Sequence, residues 1–313
     1  MSVPTRPVLR YHGGKFRLAA WVIGFFPAHR AYVESHGGAA SVLMQKERSY
    51  AEVYNDLDGE VVNVFRVLQS PEQSARLREL LHLTPFARVE FEDAYLRSDD
   101  AVEQARRTIV KSFMGFSSAA IHDTRENGMR TRASTVTGYR SDTRRSSTTP
   151  AHDWSGYPEH IESFCERLRG VVIENRDAVK VLIQHDTPDA LHYVDPPYPM
   201  STRGDAGKDY AHEMSDDDHR QLAAVLRGLR GMVVVSGYPC KLYDSDLYAD
   251  WERHERPHLA DSARKRTEVV WLNPACSRAL RAEKQQRGLF DVAHVQPGDE
   301  ASKFTAAQSL HTR

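Results

Sequence analysis

The run Leu191-His192-Tyr193-Val194 leads without a break into Asp195-Pro196-Pro197-Tyr198. The run reads as a short buried strand. A carboxylate and two prolines directly after it predict a rigid, exposed turn at the strand's carboxyl end, where open α/β sheets place their chemistry. Proline holds φ near about −65° and has no N–H, so the turn's carbonyls are not recruited into helix or sheet. A carboxylate oxygen, a free carbonyl and an aromatic face within four residues suit a planar substrate with an exocyclic amino group. Taken alone, the tetrapeptide also fits a proline-rich turn that merely ends a strand.

The 313 residues are enough for one large domain or two smaller ones. A hydrophobic content of 40% is ordinary for a globular chain. No apolar stretch approaches the ~20 residues of a membrane span, and the start has no signal-peptide pattern. Cys165, Cys240 and Cys276 are scattered, forming neither a disulfide framework nor a zinc site, so a reducing cytoplasm is expected. The net charge of −1 excludes a uniformly basic nucleic-acid binder and leaves room for a local basic face.

Tyr11-His12-Gly13-Gly14-Lys15 opens the ordered part, with backbone able to pass close to a ligand and an ammonium ready for an anion. The spacing is not that of a Walker loop, and a plain turn before a helix over Arg17–Phe26 is the alternative. Ala31-Tyr32-Val33-Glu34 predicts a strand, and Ser35 to Ser41 a small-residue loop after it, in the manner of a Rossmann-type unit. Tyr50 to Tyr54 predicts a second strand that ends at Asn55-Asp56. Asp56 is placed for ribose hydroxyls, and Asp58 for capping the helix marked by Val61, Val62, Phe65 and Leu68. Helices are expected from about 70 to 115. Ser215-Asp216-Asp217-Asp218 reads as a helix start, Met232 to Val235 as a buried strand, and Thr267 to Asn273 as an antiparallel strand at the sheet edge. Beyond roughly residue 280 a polar, mobile tail is expected.

From Phe116 to Asp153 aliphatic residues give way to Ser, Thr and Arg. Arg125, Arg130, Arg132, Arg140, Arg144 and Arg145 are opposed only by Glu126 and Asp142 between residues 125 and 145. Asn127-Gly128 is a two-residue hairpin signal within this segment. It is the basic patch that the overall charge hides, and a solvated loop is the plainer alternative.

In this order the pieces resemble the Dam-like DNA adenine-N6 methyltransferases that use S-adenosyl-L-methionine. The resemblance runs from about Val8 to Pro274 and is carried by Gly13-Gly14-Lys15, Asp195 to Tyr198, and Thr267-Glu268-Val269-Val270-Trp271. It implies an α/β fold of class I methyltransferase type, a Rossmann-like mixed sheet with an inserted target-recognition region of helices and a β-hairpin. On that reading residues 1–69 form the cofactor half and 70–165 the insert. Residues 166–280 form the half with the Asp-Pro-Pro-Tyr turn, and 281–313 the tail.

The resemblance further implies that Tyr11, Gly13, Gly14, Lys15, Glu34, Gly38, Asp56 and Asp195 line the cofactor site. The catalytic turn would be Asp195, Pro196, Pro197 and Tyr198, with Tyr198 stacked on a flipped base. Candidate DNA contacts are Phe116, Arg125, Arg130, Arg132 and Arg140, and no metal is implied. Where the family usually has Pro-Phe and a second glycine in its first loop, this chain has Ser35-His36 and Ala40. Duplex DNA is the implied partner. Gln286, Leu289 and Phe290 resemble the peptides that dock on a bacterial sliding clamp. Cytosine-N4 methylation and a catalytically silent DNA-binding module are the rival readings.

Overall fold

A computed structural model describes residues 3–116, 125–126, 129–130, 138–142, 148–203, 211–259 and 265–293. Its centre is a seven-stranded sheet. In chain order the strands are β1 (Ala31–Glu34), β2 (Ala51–Asn55), β3 (Arg125–Glu126), β4 (Met129–Arg130), β5 (Val171–Glu174), β6 (Ala190–Val194), β7 (Met232–Gly237), β8 (Glu252–Leu259) and β9 (Lys265–Leu272). The sheet order is β5-β2-β1-β6-β7-β9-β8, and β3 pairs with β4 alone. The first five strands are parallel, and β9 and β8 are antiparallel additions at one end. This is the α/β architecture expected of a class I methyltransferase.

The expected strands are present, with one correction of place. The strand over Thr267 to Asn273 is antiparallel but lies inside the sheet, because β8 covers its outer side. The β8 sequence, Glu-Arg-His-Glu-Arg-Pro-His-Leu, has no apolar alternation and carries a proline, so it gives no strand signal. An edge strand tolerates both, since one side of it needs no ladder and charge there discourages further pairing.

Helices cover both faces. The helices Gly59–Gln69, Pro71–Leu83 and Ala101–Met114 bury Val62, Phe65, Leu77, Leu81, Ile109 and Phe113 in one cluster with Tyr32, Leu191 and Tyr193 of the sheet. The second face packs Leu222 and Leu226 of the helix Asp216–Gly228 against Val233, Val235 and Trp271. Alternate residues of β7 thus feed opposite layers, as the pleat of a strand buried on both faces requires. The helices after residue 70 share this core with the helix before it. Ser215 caps the helix at Asp216 with a reciprocal Asp218 bond, as the acid run predicts.

The hairpin around residues 127–128 is supported by its flanks, where Arg125 pairs with Arg130 and Glu126 with Met129. Asn127, Gly128, Arg132, Arg144 and Arg145 lie outside the described residues. The helix expected over Arg17–Phe26 is confined to Ala19–Ile23. At the other end, the helix Pro274–Ala293 continues through the position where a mobile tail was expected to begin.

One buried ion cluster fixes β2. Glu52 accepts from Lys46 Nζ at 2.7 Å and from both terminal nitrogens of Arg167 at 2.6 and 2.9 Å. Arg167 lies on the helix Ile161–Leu168, far along the chain. Removing one partner of such a buried group costs about 3–5 kcal/mol, because a charge is left without compensation.

Candidate active site

The sheet reverses its winding between β1 and β6, which are neighbours in the sheet but far apart in sequence. Helices leave in opposite directions there, so a crevice opens outside the carboxyl ends of the strands. Glu34 ends β1 opposite Tyr193 of β6, and Asp195 follows β6 directly. A cavity at this point is lined by Tyr11, Gly13, Gly14 and Lys15 from the first segment. Glu34 ends β1, Gly38 and Asp56 follow β1 and β2, and Asp195 and Pro197 line the cavity after β6. Every residue expected at the cofactor site therefore borders one cavity.

The loop after β1 is built around close approaches. Gly38 has φ +46°, and a Cβ there would meet the Tyr11 ring at 2.8 Å. A Cβ on Gly37 would come within 2.1 Å of the Tyr54 ring. Ala40, where the resemblance implies glycine, is buried and also left-handed, at φ 52°, and stands alone in this among described non-glycine residues. The backbone thus keeps a glycine conformation at a position that carries a methyl group. His36 contacts the Ser35 hydroxyl through Nδ1 at 3.0 Å, and burial pushes its pKa down to about 4, so a neutral ring borders the cavity.

Three carboxylates at the β1–β2 end of the cavity have protein partners. Asp58 caps the helix Gly59–Gln69 through Glu60 N–H at 2.9 Å, as expected. Asp56 accepts from Gly38 N–H and Asp58 N–H, each at 2.8 Å, and so ties the β1 loop to the β2 loop. Glu34 accepts from the Tyr32 hydroxyl at 2.7 Å and from Leu43 N–H at 2.9 Å. Burial outweighs both bonds and raises its pKa to about 8.

At the other end of the cavity Lys15 departs from its expected company. Its ammonium is 2.9 Å from Asp195 Oδ2, 3.7 Å from Glu268 Oε1 and 4.8 Å from the Tyr198 ring centre, and it donates to the Gly13 carbonyl at 2.8 Å. Asp195 Oδ1 accepts from the Ser236 hydroxyl at 2.8 Å and the Tyr198 hydroxyl at 3.1 Å. Tyr193 backs Ser236 at 2.9 Å.

The Tyr198 hydroxyl also lies 2.5 Å from Glu268 Oε1, and burial pushes the pKa of Glu268 up to about 7. Burial and the two acids push the phenol upward, so it keeps its proton. One phenolic proton cannot serve both acids. With Glu268 protonated, Glu268 donates to the phenol and the phenol donates to Asp195.

Two of the expected site residues lie in enclosed settings. Tyr198 is only 3% exposed, with Lys15 against its ring and Tyr238 meeting it edge to face at 4.6 Å, so it offers no open stacking face in this structure. Arg140 is buried, its backbone N–H bonds to the Met114 carbonyl at 2.8 Å, and the adjoining Tyr139 pairs with Gly115. Phe116 is exposed at 70%. Pro196 is buried. The backbones of Arg125 and Arg130 form the hairpin strands.

Glu268 and Ser236 join the site without having been expected there. An acid beside the apolar run Val269-Val270-Trp271 and a serine near the end of a buried strand are the sequence signals that point to them.

The model of the D12 class N6 adenine-specific DNA methyltransferases matches residues 11–261. The chain belongs to this family. No curated protein matches it. The methyltransferase accordingly acts on DNA at N6 of adenine, and the turn Asp195 to Tyr198 and the cavity beside it fall within the matched residues. The family is adenine-specific, so the cytosine-N4 alternative finds no support. Among the described residues no helix is long and apolar enough to cross a membrane.

Proposed function

We propose that the protein transfers the methyl group of S-adenosyl-L-methionine to N6 of an adenine turned out of duplex DNA. The observation that carries this reading is the cavity that runs from Asp56 after β2, past β1, to Asp195 after β6. Three adjacent strands span roughly 10 Å at about 4.8 Å per strand pair, enough for an adenosine at one end and a reacting centre at the other. Leu57, Val42 and Ala39 give the Asp56 end an apolar wall suited to a base, and Asp56 is the acid for ribose hydroxyls. The residues present fit the cofactor. It would supply a methyl group made electrophilic by its sulfonium.

Adenine's exocyclic nitrogen is a poor nucleophile because its lone pair is delocalised into the ring. Asp195 and the Pro196 carbonyl would each accept one amino hydrogen, favouring a tetrahedral nitrogen with the lone pair aimed at the methyl. Lys15, Ser236 and Tyr198 hold Asp195 still, so positioning supplies much of the rate. The carboxylate also stabilises the positive charge that develops on nitrogen. An amino group inside a duplex is out of reach, so the base must leave the stack at a few kcal/mol.

The basic segment from Phe116, with the hairpin at Arg125 and Arg130, is assigned to target recognition. Docking of the Gln286 to Phe290 stretch on a sliding clamp belongs to the same proposal, with titration of that peptide against purified clamp as its test. Sequencing plasmid DNA from cells expressing the protein tests the main reading. N6-methyladenine at a defined sequence is expected, and unmodified DNA together with no binding of S-adenosyl-L-methionine overturns it.

A further inference from the structure

Next to the catalytic turn, and sharing no residue with the cavity, is a second groove. Tyr238 and Pro239 from the end of β7 form one wall, and Pro257, His258, Lys265 and Arg266 from the β8–β9 pair form the other. No Asp or Glu is among its described lining residues. The Tyr238 ring meets Tyr198 edge to face at 4.6 Å, which joins the groove to the Asp195 cluster. The Arg266 guanidinium lies 5.3 Å over the Tyr238 ring and donates to the Thr202 carbonyl at 3.3 Å. Lys265 is exposed, and its ammonium has no partner among the described residues.

A chain of net charge −1 has acids to spare, yet none lines this wall among the described residues. An aromatic ring beside cations, with no acid among the described lining residues, suits a polyanion that also carries flat rings, which is how single-stranded nucleic acid is held. The position fits as well. A nucleotide drawn out of the helix towards Asp195 brings its flanking phosphates with it, and those must pass the mouth of the site. Tyr198 is buried, whereas Tyr238 is half-buried and borders the open groove.

We propose that this groove holds the DNA strand carrying the target adenine, with Lys265 and Arg266 on its phosphates and the solvent-facing part of Tyr238 in contact with an unpaired base. The proposal rests on the methyl-transfer reading of Asp195 and adds a contact surface away from the basic insert.

The test uses the full chain and two synthetic DNAs, a plain duplex and the same duplex with a central run of unpaired adenines. Affinity is measured across a salt series for the wild type, Lys265→Ala, the Lys265→Ala/Arg266→Ala pair, and Tyr238→Leu. The pair is expected to flatten the salt dependence by roughly one to two counterions, at about 0.7–0.9 for each phosphate lost. Tyr238→Leu is expected to cut the preference for the unpaired DNA by about tenfold while leaving the salt slope unchanged. Lys265→Ala alone serves as the variant that cannot disturb packing, and it should lose about half of the pair's effect. Wild-type salt slopes and wild-type preference in all three variants, with S-adenosyl-L-methionine affinity retained, overturn the proposal. Failure of the underlying reading looks different. The wild type would then leave plasmid adenines unmodified, whatever the groove variants do to binding.

Discussion

Lys15 Nζ lies 2.9 Å from Asp195 Oδ2 and 3.7 Å from Glu268 Oε1, so one ammonium from the start of the chain joins two carboxylates brought in by β6 and β9. The glycine pair ahead of it makes the approach possible, since Gly13 is left-handed at φ 71° and its carbonyl accepts from the same ammonium. Lys15 borders the proposed cofactor cavity, but its ion pair is with Asp195, the proposed catalytic carboxylate. Lys15→Gln should therefore lower the methylation rate by about a hundredfold or more while changing S-adenosyl-L-methionine affinity only slightly. Single-turnover assays beside calorimetry separate the two quantities, and a loss confined to cofactor affinity would make Lys15 a cofactor ligand instead.

Asp195→Ala should abolish methyl transfer, a loss of at least about a hundredfold, while DNA binding survives. The side chain acts on the amino group and touches no phosphate in the proposed reaction. Binding and turnover measured on one DNA decide this, and appreciable residual turnover would sink the assignment.

Asp56→Ala removes the acceptor for two backbone N–H groups as well as the proposed ribose ligand. Cofactor affinity should fall by roughly 1–3 kcal/mol. Asp56→Asn keeps an acceptor oxygen and should recover part of it. Calorimetry with equal affinity for all three proteins would reduce Asp56 to a loop tie.

Ala40→Gly should stabilise the protein. A left-handed alanine costs about 1–2 kcal/mol, and glycine returns about 0.4–1 kcal/mol of that through the greater freedom of the unfolded chain. A net gain of about 0.5–1 kcal/mol follows, readable as a higher midpoint in urea with unchanged slope. A lower midpoint would mean that the alanine methyl contributes packing beyond its strain.

Burial raises Glu34 to about 8 and Glu268 to about 7, both above the ordinary 4.5. A raised folded pKa means that the folded state holds the proton more tightly. The associated stability is complete below about 4.5 and is lost as pH rises through about 7 and then about 8. The unliganded protein should accordingly weaken between about pH 5 and about pH 8.5, by an amount on the order of a few kcal/mol. Glu34→Gln, which keeps an acceptor for Tyr32 and Leu43, should flatten the upper part of that decline. Urea titrations at the two pH values would show it, and parallel losses in wild type and variant would rule out Glu34 as the source.

Much of the framework was legible in the chain because its causes are local. A buried strand needs only its own run of apolar residues, as in Leu191 to Val194 and Met232 to Val235. A cap needs an oxygen two or three residues before an N–H, as at Asp58 and Ser215. A turn such as Asp195 to Tyr198 is written into its prolines. The resemblance carried those pieces to the right family. Long-range contact was beyond such reading. That Lys15 would meet Asp195 and Glu268, that Tyr198 would be enclosed, and that Arg140 would turn inward depend on which strands become neighbours. So does β8, whose polar sequence becomes a strand only because β9 offers it an open ladder. Local sequence determined the parts and the chemistry they carry, while burial and charge pairing, which exist only once distant segments are packed together, decided which groups share the site.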